Sequence, residues 1–404
     1  MRILFTPLAW RSHYFPMVVL AWACRAAGHE VRVAAQPGVL DAVDGSGMPA
    51  VVVGREYDFM AGIAEVERQT LAAQQGRPPL GLDDLRKLPP EVMRMIRAGR
   101  LVPHTRSAEA ISTDLLAFAD VWTPDVIVSD PAHLAAPLLA ETRGIPLVRH
   151  LWGPDISRLA GFPGLGLPAA EWPEPLVELY ARHGVEPRED FAAITVDPVP
   201  PGLQVPGLQN RVPGRYVPYN GPGRLPDWLA VKADRPRICV AWTTTARETE
   251  GEGLQLTDMV AGLSGLDVEI VLVIGKDPEI RLPDSAKAGL TVACNVPLNL
   301  IMPACSAIMH HGGAGTLMTA AYYGVPQVVA GQLLDWTYNA EQLASTGAGI
   351  APKPEEAVDA TALAAHMAAL LSDDSWSSAA RRLADQMSSQ PSPAETVSVL
   401  ESLV

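Results

Sequence analysis

The chain is organised around residues Ala307–Asn339, which read AIMHHGGAGTLMTAAYYGVPQVVAGQLLDWTYN. The short apolar run at its start predicts a buried strand, and Leu317 to Tyr323 has the composition of a helix. A turn with two histidines and three glycines lies between them, and a second strand-like run begins at Pro326. The order strand, glycine turn, helix, strand predicts a βαβ unit, which is typical of doubly wound α/β domains.

The glycine turn has the chemistry of an anion site. Backbone N–H groups at a helix N-terminus favour an anion, and glycines let a phosphate approach the backbone closely. A turn that binds no ligand is a weaker alternative, because it needs neither three glycines nor two histidines. A dinucleotide fingerprint stays open, since Gly313 and Gly315 match its first two glycines and Asp335 follows in the expected range. Met318 occupies the place of its third glycine, which weakens that interpretation.

Size and composition limit the classes of protein and partner. A chain of 404 residues, 48% of them hydrophobic, is long enough for two domains of roughly 200 residues each. A net charge of −14 argues against a nucleic-acid partner, which normally requires a basic face. The four cysteines fit no metal-site spacing, and neither a signal-peptide pattern nor a run of 18 apolar residues is present. We therefore expect a cytoplasmic protein without a membrane partner.

Strand and helix patterns along the chain predict two doubly wound domains of similar size. The expected boundaries are a first domain at 1–212, a linker at 213–225 and a second domain at 226–404 that ends in a helical tail. The pattern loosens at about 55–106, which leaves open an acceptor-binding insertion, a lid or a plain surface excursion. His13 follows the first strand and Asp130 ends a later strand, so both belong to the carboxyl edge of the first sheet, where α/β sites form.

Four segments resemble the GT-B glycosyltransferases of family 1, and in particular the bacterial group that decorates antibiotics with deoxysugars. The resemblance is carried by Met1–Gln36, by PDVIVSD at Pro124–Asp130, by WGPD at Trp152–Asp155 and by HHGGAGT at His310–Thr316. It implies a GT-B fold, in which two Rossmann-like domains face a cleft. The first domain is then the acceptor-binding domain and the second the nucleotide-sugar-binding domain.

The same resemblance implies an inverting, hexosyltransferase-type reaction that moves a deoxysugar from a TDP-sugar to a hydrophobic, polyketide-type aglycone in antibiotic biosynthesis. His13 is implied as the base that takes the proton of the acceptor hydroxyl, since imidazole titrates near neutral pH. Asp130 is implied as the carboxylate that orients His13. Loop packing for His13 and a helix N-cap for Asp130 are the structural alternatives.

For the donor diphosphate, the resemblance implies the glycine turn together with Thr244. Thr243 stands where the family has a glycine before Thr244, so that alignment can slip by one residue. No D-x-D acidic pair is present, and we expect transfer without a metal or another cofactor. The predicted diphosphate residues of the turn are His310, Gly312, Gly313, Ala314, Gly315 and Thr316.

The donor nucleoside and sugar are expected beside three further segments. Asn295 and Val296 are implied near the base, with Asn295 in place of a stacking tryptophan. Met318 stands where plant relatives place a ribose-binding glutamate, which favours a deoxyribose and hence TDP. Asp335 and Trp336 match a sugar-binding pair, and an apolar Trp336 suits a deoxygenated sugar. Core packing is the alternative for Met318 and Trp336.

Other functions remain open at this point. A GT-B epimerase acting on a nucleotide sugar shares the fold but does not call for His13 with Asp130. A non-catalytic nucleotide-sugar or aglycone-binding homologue is a second alternative, and an NAD-dependent oxidoreductase is a third. Some enzymes with a similar opening segment need an auxiliary activator protein. The resemblance therefore leaves open such a partner, and a homodimer as well.

Overall fold

The computed structural model of the chain describes residues 1–74, 87–208, 210–242, 256–275, 289–331 and 334–404. Two sheets organise these residues. The first sheet consists of β1 (Arg2–Thr6), β2 (Glu30–Ala35), β3 (Ala50–Val52), β4 (Val126–Ser129), β5 (Leu147–His150), β6 (Ile194–Asp197) and β7 (Arg211–Pro213). The second consists of β8 (Arg237–Ala241), β9 (Glu269–Ile274), β10 (Leu290–Cys294), β11 (Ala307–His310), β12 (Gln327–Val329) and β13 (Gly349–Ile350).

The two sheets share one topology. Their strand orders are β3-β2-β1-β4-β5-β6-β7 and β10-β9-β8-β11-β12-β13. The paired strands in the described residues are parallel. The order of the strands reverses between β1 and β4 and again between β8 and β11, and α/β ligand sites form at such switch points. The prediction of two doubly wound sheets is confirmed.

Helices connect the strands. Around the first sheet they are α1 (Arg11–Ala26), α2 (Leu40–Ser46), α3 (Phe59–Gln74), α4 (Pro90–Trp122), α5 (Ala135–Arg143), α6 (Ile156–Ala160) and α7 (Glu174–Arg182). The later helices are α8 (Leu256–Leu263), α9 (Leu298–Ile301), α10 (Ala314–Tyr322), α11 (Leu334–Ser345), α12 (Ala360–Ser372), α13 (Asp374–Ser388) and α14 (Pro393–Glu401). Within the described ranges, no helix combines the length and the apolar character needed to cross a membrane.

Both faces of the first sheet are buried, which explains why its strands are nearly continuous apolar runs. Successive strand residues point to opposite faces. Leu4 and Ile127 accordingly belong to one core cluster, whereas Ile3 and Val126 belong to another. Parallel sheets covered by helices on both faces show this pattern.

Helix α1 starts earlier than its sequence suggested. The pattern predicted a loop through Phe15 and a helix from Pro16, but the helix begins at Arg11. The carbonyl of Trp10 accepts hydrogen bonds from the N–H groups of His13 at 3.0 Å and of the next residue at 3.1 Å. His13 therefore lies in the first turn of a helix, where its ring has a fixed direction.

Helix α4 joins the loosely patterned region to the first core. It runs unbroken from Pro90 to Trp122, so position 106, where the insertion was predicted to end, lies inside it. Ile111 and Leu115 of its second half are buried in a core cluster of the first sheet. The first half of α4, which belongs to the loosely patterned region, is thus attached to the first domain through the buried second half of the same helix.

The last helix returns to the first sheet. Val397 and Leu400 of α14 lie in the same core cluster as Met17 of α1. A capping box starts α14, because the Ser392 hydroxyl and the Glu395 carboxylate each bond the other's backbone N–H. For this helix the prediction of a tail on the second domain is corrected, whereas the boundaries at 212, 225 and 226 stay predictions.

Candidate functional site

The predicted site residues follow the central strands of both sheets. His13 comes after β1 and Asp130 after β4, and these strands are hydrogen-bonded neighbours. The glycine turn comes after β11, which pairs with β8. Thr244 lies outside the described residues, so its predicted diphosphate contact stays a prediction.

His13 and Asp130 form a buried pair. Nδ1 of His13 lies 2.7 Å from Oδ2 of Asp130, although 117 positions separate the two residues. Because a carboxylate only accepts, Nδ1 donates, and Nε2 is left as the acceptor nitrogen of the neutral ring. The N–H of Ala132 donates to the other oxygen of Asp130 at 2.7 Å. The carboxylate is thus held from two sides and fixes the direction of the imidazole.

Two indole rings flank His13. Trp10 stacks on the imidazole with the ring centroids 5.6 Å apart, and Trp152 lies 4.6 Å away at a tilted angle. Both tryptophans are partly exposed, so they extend the surface around His13. No role for either of them was predicted, although Trp152 belongs to the quoted WGPD segment.

The glycine turn is held in shape by buried polar side chains. Gly312 has a φ of +105°, and a Cβ on it would lie 2.7 Å from the Cβ of Trp336, so only glycine fits. Its N–H donates to Nδ1 of His310 at 3.0 Å, and its carbonyl accepts from the Asn339 amide at 2.7 Å. Since the Gly312 amide is already bonded, its predicted contact with the diphosphate is corrected to a role in shaping the turn.

Helix α10 begins directly after this turn. Its N-cap is Gly313, which has no side chain to cap the helix. The first N–H groups of a helix have no intrahelical partner, so those of Ala314 and Gly315 are available to an anion. Thr316 lies in the same first turn with its N–H bonded to the Gly313 carbonyl at 3.1 Å. We call these residues the anion-binding part of the turn, and their contact with the diphosphate stays a prediction.

His310 does not face a ligand, and its predicted contact with the diphosphate is corrected. The side chain is fully buried, with Nε2 2.8 Å from Oε1 of Gln327. Nδ1 accepts from Gly312, so Nε2 donates and both ring nitrogens are bonded within the protein. Burial is the main cause that lowers the pKa of His310 to about 3. The ring is therefore neutral and supports the turn from behind.

His311 is the histidine that the sequence interpretation missed. Its ring packs edge-to-face with Trp336, the centroids being 4.5 Å apart. A Cβ on Gly313 would lie 2.7 Å from its Nε2, so the ring abuts the anion-binding part of the turn. Burial lowers its pKa to about 4, against the opposing effect of a hydrogen bond with the Ala241 backbone. The adjacent pair His310 and His311 was the only sequence signal, and only the fold distinguishes the two rings.

Of the residues predicted to contact the nucleoside or the sugar, some lie in the core and others at the surface. Met318 is fully buried in a core cluster with Tyr216 and does not reach a ligand. Trp336 is 4% exposed and packs under the glycine turn, so its predicted sugar contact is also corrected. Asn295 is exposed just beyond β10, and Val296 is half-buried beside it. The nucleoside contacts of Asn295 and Val296 stay predictions.

Asp335 lies where the two domains approach each other. Burial raises the pKa of this carboxyl, while the positive charge of Arg100 on α4 and that of His13 act in the opposite direction. Asp335 belongs to the first turn of α11 in the second domain, whereas Arg100 and His13 belong to the first. Arg100 was not singled out from the sequence.

Two consecutive residues bridge His13 and the glycine turn. Trp152 packs on His13, and a Cβ on the next residue, Gly153, would lie 2.5 Å from the Cβ of Ala314. The imidazole and the start of α10 therefore face the same narrow space. In the described part of the chain, no three His, Cys, Asp or Glu side chains are grouped to hold a metal ion.

Comparison with known proteins places this arrangement in a family. Residues 22–243 match the family model for the erythromycin biosynthesis protein CIII-like N-terminal domain, and residues 257–403 match the model for its C-terminal domain. Tylactone mycaminosyltransferase of Streptomyces fradiae is 35% identical, over 100% of this chain and 92% of its own length. The 10-deoxymethynolide desosaminyltransferase of Streptomyces venezuelae is 35% identical, over 100% and 97%.

A solved structure agrees with these sequence relatives. Spinosyn rhamnosyltransferase SpnG matches with a TM-score of 0.79 and 30% identity over 100% of both chains. SpnG has also been solved with thymidine diphosphate and with the spinosyn aglycone. The chain therefore belongs to the erythromycin biosynthesis protein CIII-like family and is a glycosyltransferase with the GT-B fold.

Proposed function

We propose that this glycosyltransferase moves a deoxysugar from a TDP-sugar to a hydroxyl group of a polyketide aglycone in antibiotic biosynthesis, with inversion. The observation that carries the proposal is the bridge at Trp152 and Gly153, which joins the His13–Asp130 pair to the start of α10. A proton acceptor and an anion site then face one space, as a displacement with an anionic leaving group requires.

The acceptor half of the reaction uses His13. Nε2 of His13 takes the proton of the aglycone hydroxyl while the oxygen of that hydroxyl bonds to the anomeric carbon of the sugar. Asp130, 2.7 Å from Nδ1, stabilises the imidazolium that forms. The flanking rings of Trp10 and Trp152 give an apolar aglycone a surface to pack against.

The donor half uses the start of α10. The bond between the anomeric carbon and the diphosphate oxygen breaks, and the negative charge moves to the diphosphate. Hydrogen-bond donors at the positive end of the helix would stabilise this charge. They are the N–H groups of Gly313, Ala314 and Gly315 and the hydroxyl of Thr316. His311 offers a further ring nitrogen beside them. Transfer without a metal or other cofactor stays a prediction.

The proposal that the donor sugar is carried by TDP rests on the relatives of this chain. Met318, which favoured TDP, and Trp336, which favoured a deoxygenated sugar, are both buried and carry neither argument. Support comes instead from SpnG, whose structure contains thymidine diphosphate, and from relatives named as mycaminosyl and desosaminyl transferases. Asp335 is the remaining candidate for the sugar hydroxyls, since it lies near His13. An auxiliary activator protein, a homodimer and a cytoplasmic location stay predictions.

A turnover assay tests this function. The purified chain is given TDP-mycaminose or TDP-desosamine with tylactone or 10-deoxymethynolide, and TDP release and glycoside formation are measured. We expect TDP release only when an aglycone is present, and a loss of about 10²- to 10⁴-fold in His13→Ala, the usual contribution of a positioned base.

Two outcomes would contradict the proposal. Isomerisation of the sugar without an acceptor would indicate an epimerase, and His13→Ala turning over at the wild-type rate would remove the base. A thermal-shift comparison of TDP, UDP and NAD provides the binding control, because a ligand of the native state raises the melting temperature. A shift with NAD alone would indicate an oxidoreductase.

A further inference from the structure

A half-buried apolar surface lies beside His13. We call it the acceptor wall, and it consists of Trp10, Met60, Ile63 and Phe162, all partly buried. Trp10 also stacks on the His13 ring at 5.6 Å, so the wall begins at the proposed base. Apolar side chains grouped beside a site and only partly covered form a surface that an apolar ligand would cover.

His104 on α4 is a polar residue within this apolar surrounding. Its ring packs edge-on against Phe162 of the acceptor wall, with the centroids 4.9 Å apart. On its other side it packs against Phe59, at 5.2 Å, in the buried cluster beneath the wall. The two aromatic contacts fix both the position and the plane of the imidazole.

One hydrogen bond defines which nitrogen of His104 carries the proton. Nδ1 lies 3.3 Å from the carbonyl oxygen of Ala132. A carbonyl only accepts, so Nδ1 donates and Nε2 holds the free lone pair. Ala132 also donates its N–H to Asp130, so one residue of the loop after β4 holds both the His104 ring and the partner of His13.

Nε2 of His104 is not used inside the protein. The residue is 8% exposed, and in the described ranges Nε2 neither has a hydrogen-bond partner nor belongs to the buried polar atoms that lack one. It is therefore the ring nitrogen that keeps contact with the outside.

His104 stays neutral under ordinary conditions. Burial, with a smaller effect of His13, lowers its pKa to about 4 against the opposing effects of the bond to Ala132 and the charge of Asp130. At neutral pH the ring keeps one N–H and one lone pair. It is thus suited to accept a hydrogen bond, whereas His13 with its carboxylate partner is suited to take a proton.

We propose that His104 is a positioning residue for the aglycone, whose apolar body covers the acceptor wall and one of whose hydroxyl groups donates to His104 Nε2. The inference rests on the proposed function, because it assumes that an aglycone occupies the space beside His13. This hydrogen bond fixes the orientation of the aglycone on the acceptor wall and thereby determines which of its hydroxyl groups reaches His13. An aglycone without a matching hydroxyl binds less well.

Two conservative variants separate this role from a structural one. In His104→Asn, the side-chain amide can replace the Nδ1 donor to Ala132 but has no atom near Nε2. In His104→Gln, the amide reaches the position of Nε2 but leaves the Ala132 carbonyl. The assay uses whichever of tylactone and 10-deoxymethynolide the wild-type enzyme turns over faster, with kcat, both KM values and the melting temperature measured.

We expect His104→Asn to raise the aglycone KM about 5- to 10-fold, the loss of about one hydrogen bond, with the TDP-sugar KM within about twofold. His104→Gln should keep the aglycone KM within about threefold of wild type. The reverse order, Asn like wild type and Gln impaired, would show a structural role and overturn the inference. Isomerisation of the TDP-sugar by the wild-type enzyme without an aglycone contradicts the proposed function, and this inference with it.

Discussion

A histidine lies near the switch point of each sheet, His13 in the helix after β1 and His310 at the end of β11, and the two have opposite surroundings. His13 of the first domain is paired with the carboxylate of Asp130 and is flanked by partly exposed indoles. His310 of the second domain is paired with the neutral amide of Gln327 and is fully buried. The carboxylate fixes the direction of the His13 ring, whereas burial lowers the pKa of His310 to about 3.

This difference separates two ways of building a site on one topology. At the first edge the proposed chemistry belongs to side chains, and the backbone positions them through Ala132. At the second edge the proposed anion site belongs to backbone N–H groups of α10, and the side chains of His310 and Asn339 shape the turn before them. Removing a side chain should therefore impair the first edge most, whereas changing the backbone conformation should impair the second.

The largest expected effect comes from taking the carboxylate away from the first edge. In Asp130→Asn the amide no longer stabilises a protonated His13, so kcat should fall by about 10²- to 10⁴-fold. Steady-state kinetics measures the loss, and TDP affinity is the control, because the glycine turn lies on the other domain. Wild-type kcat in this variant would show that Asp130 has only a structural role.

A smaller effect is expected from changing the backbone of the second edge. Gly312→Ala forces a side chain into a φ of +105° and against Trp336, which should cost about 1–3 kcal/mol of unfolding free energy and weaken TDP binding. Gly265→Ala is the matched control, because a Cβ there meets nothing within 4 Å and we expect a change within about 0.5 kcal/mol. Equal unfolding free energies of the two variants would mean that the turn tolerates a side chain.

The smallest effect concerns the pH dependence of stability. The pKa of His310 falls from 6.5 to about 3 on folding, so between these values the unfolded chain binds a proton that the folded chain does not. Stability is therefore lost as the pH falls through this window, by up to about 1.4 kcal/mol per pH unit for this histidine.

His310→Asn tests this contribution of His310 to the pH dependence of stability, because it keeps an acceptor for the Gly312 N–H and removes the titrating ring. The slope of unfolding free energy against pH, from denaturant titrations between pH 6 and 4.5, should decrease by about that amount. An unchanged m-value is the control for the extent of unfolding. An unchanged slope would mean that His310 is not kept neutral by the fold.

The sequence was sufficient for features that depend on topology. The family resemblance implied that His13 pairs with Asp130, and the doubly wound topology allowed it, since the structure places the strands before them side by side. Composition alone located the glycine turn. The structure explains why, because the positive φ of Gly312 and its close contact with Trp336 exclude a residue with a side chain.

The sequence was insufficient where the direction of a side chain decides. His310 and His311 are adjacent and chemically identical, but one turns to Gln327 and the other to Trp336. Met318 and Trp336 aligned with ligand-binding positions and proved to be core residues. His104 was missed because the loose pattern at 55–106 hid a continuous helix, and the role of such a residue depends on contacts distant in sequence.

The return of α14 to α1 has a consequence for how the chain is made. Val397 and Leu400, near the end of the chain, complete the core beside Met17 near its start. During synthesis, domains generally fold in order from the N-terminus. Here the first domain lacks part of its core until α14, which follows the second domain in the chain, has left the ribosome. We therefore expect the nascent first domain to stay incompletely packed while the second is translated, and to gain its final packing only once α14 is available.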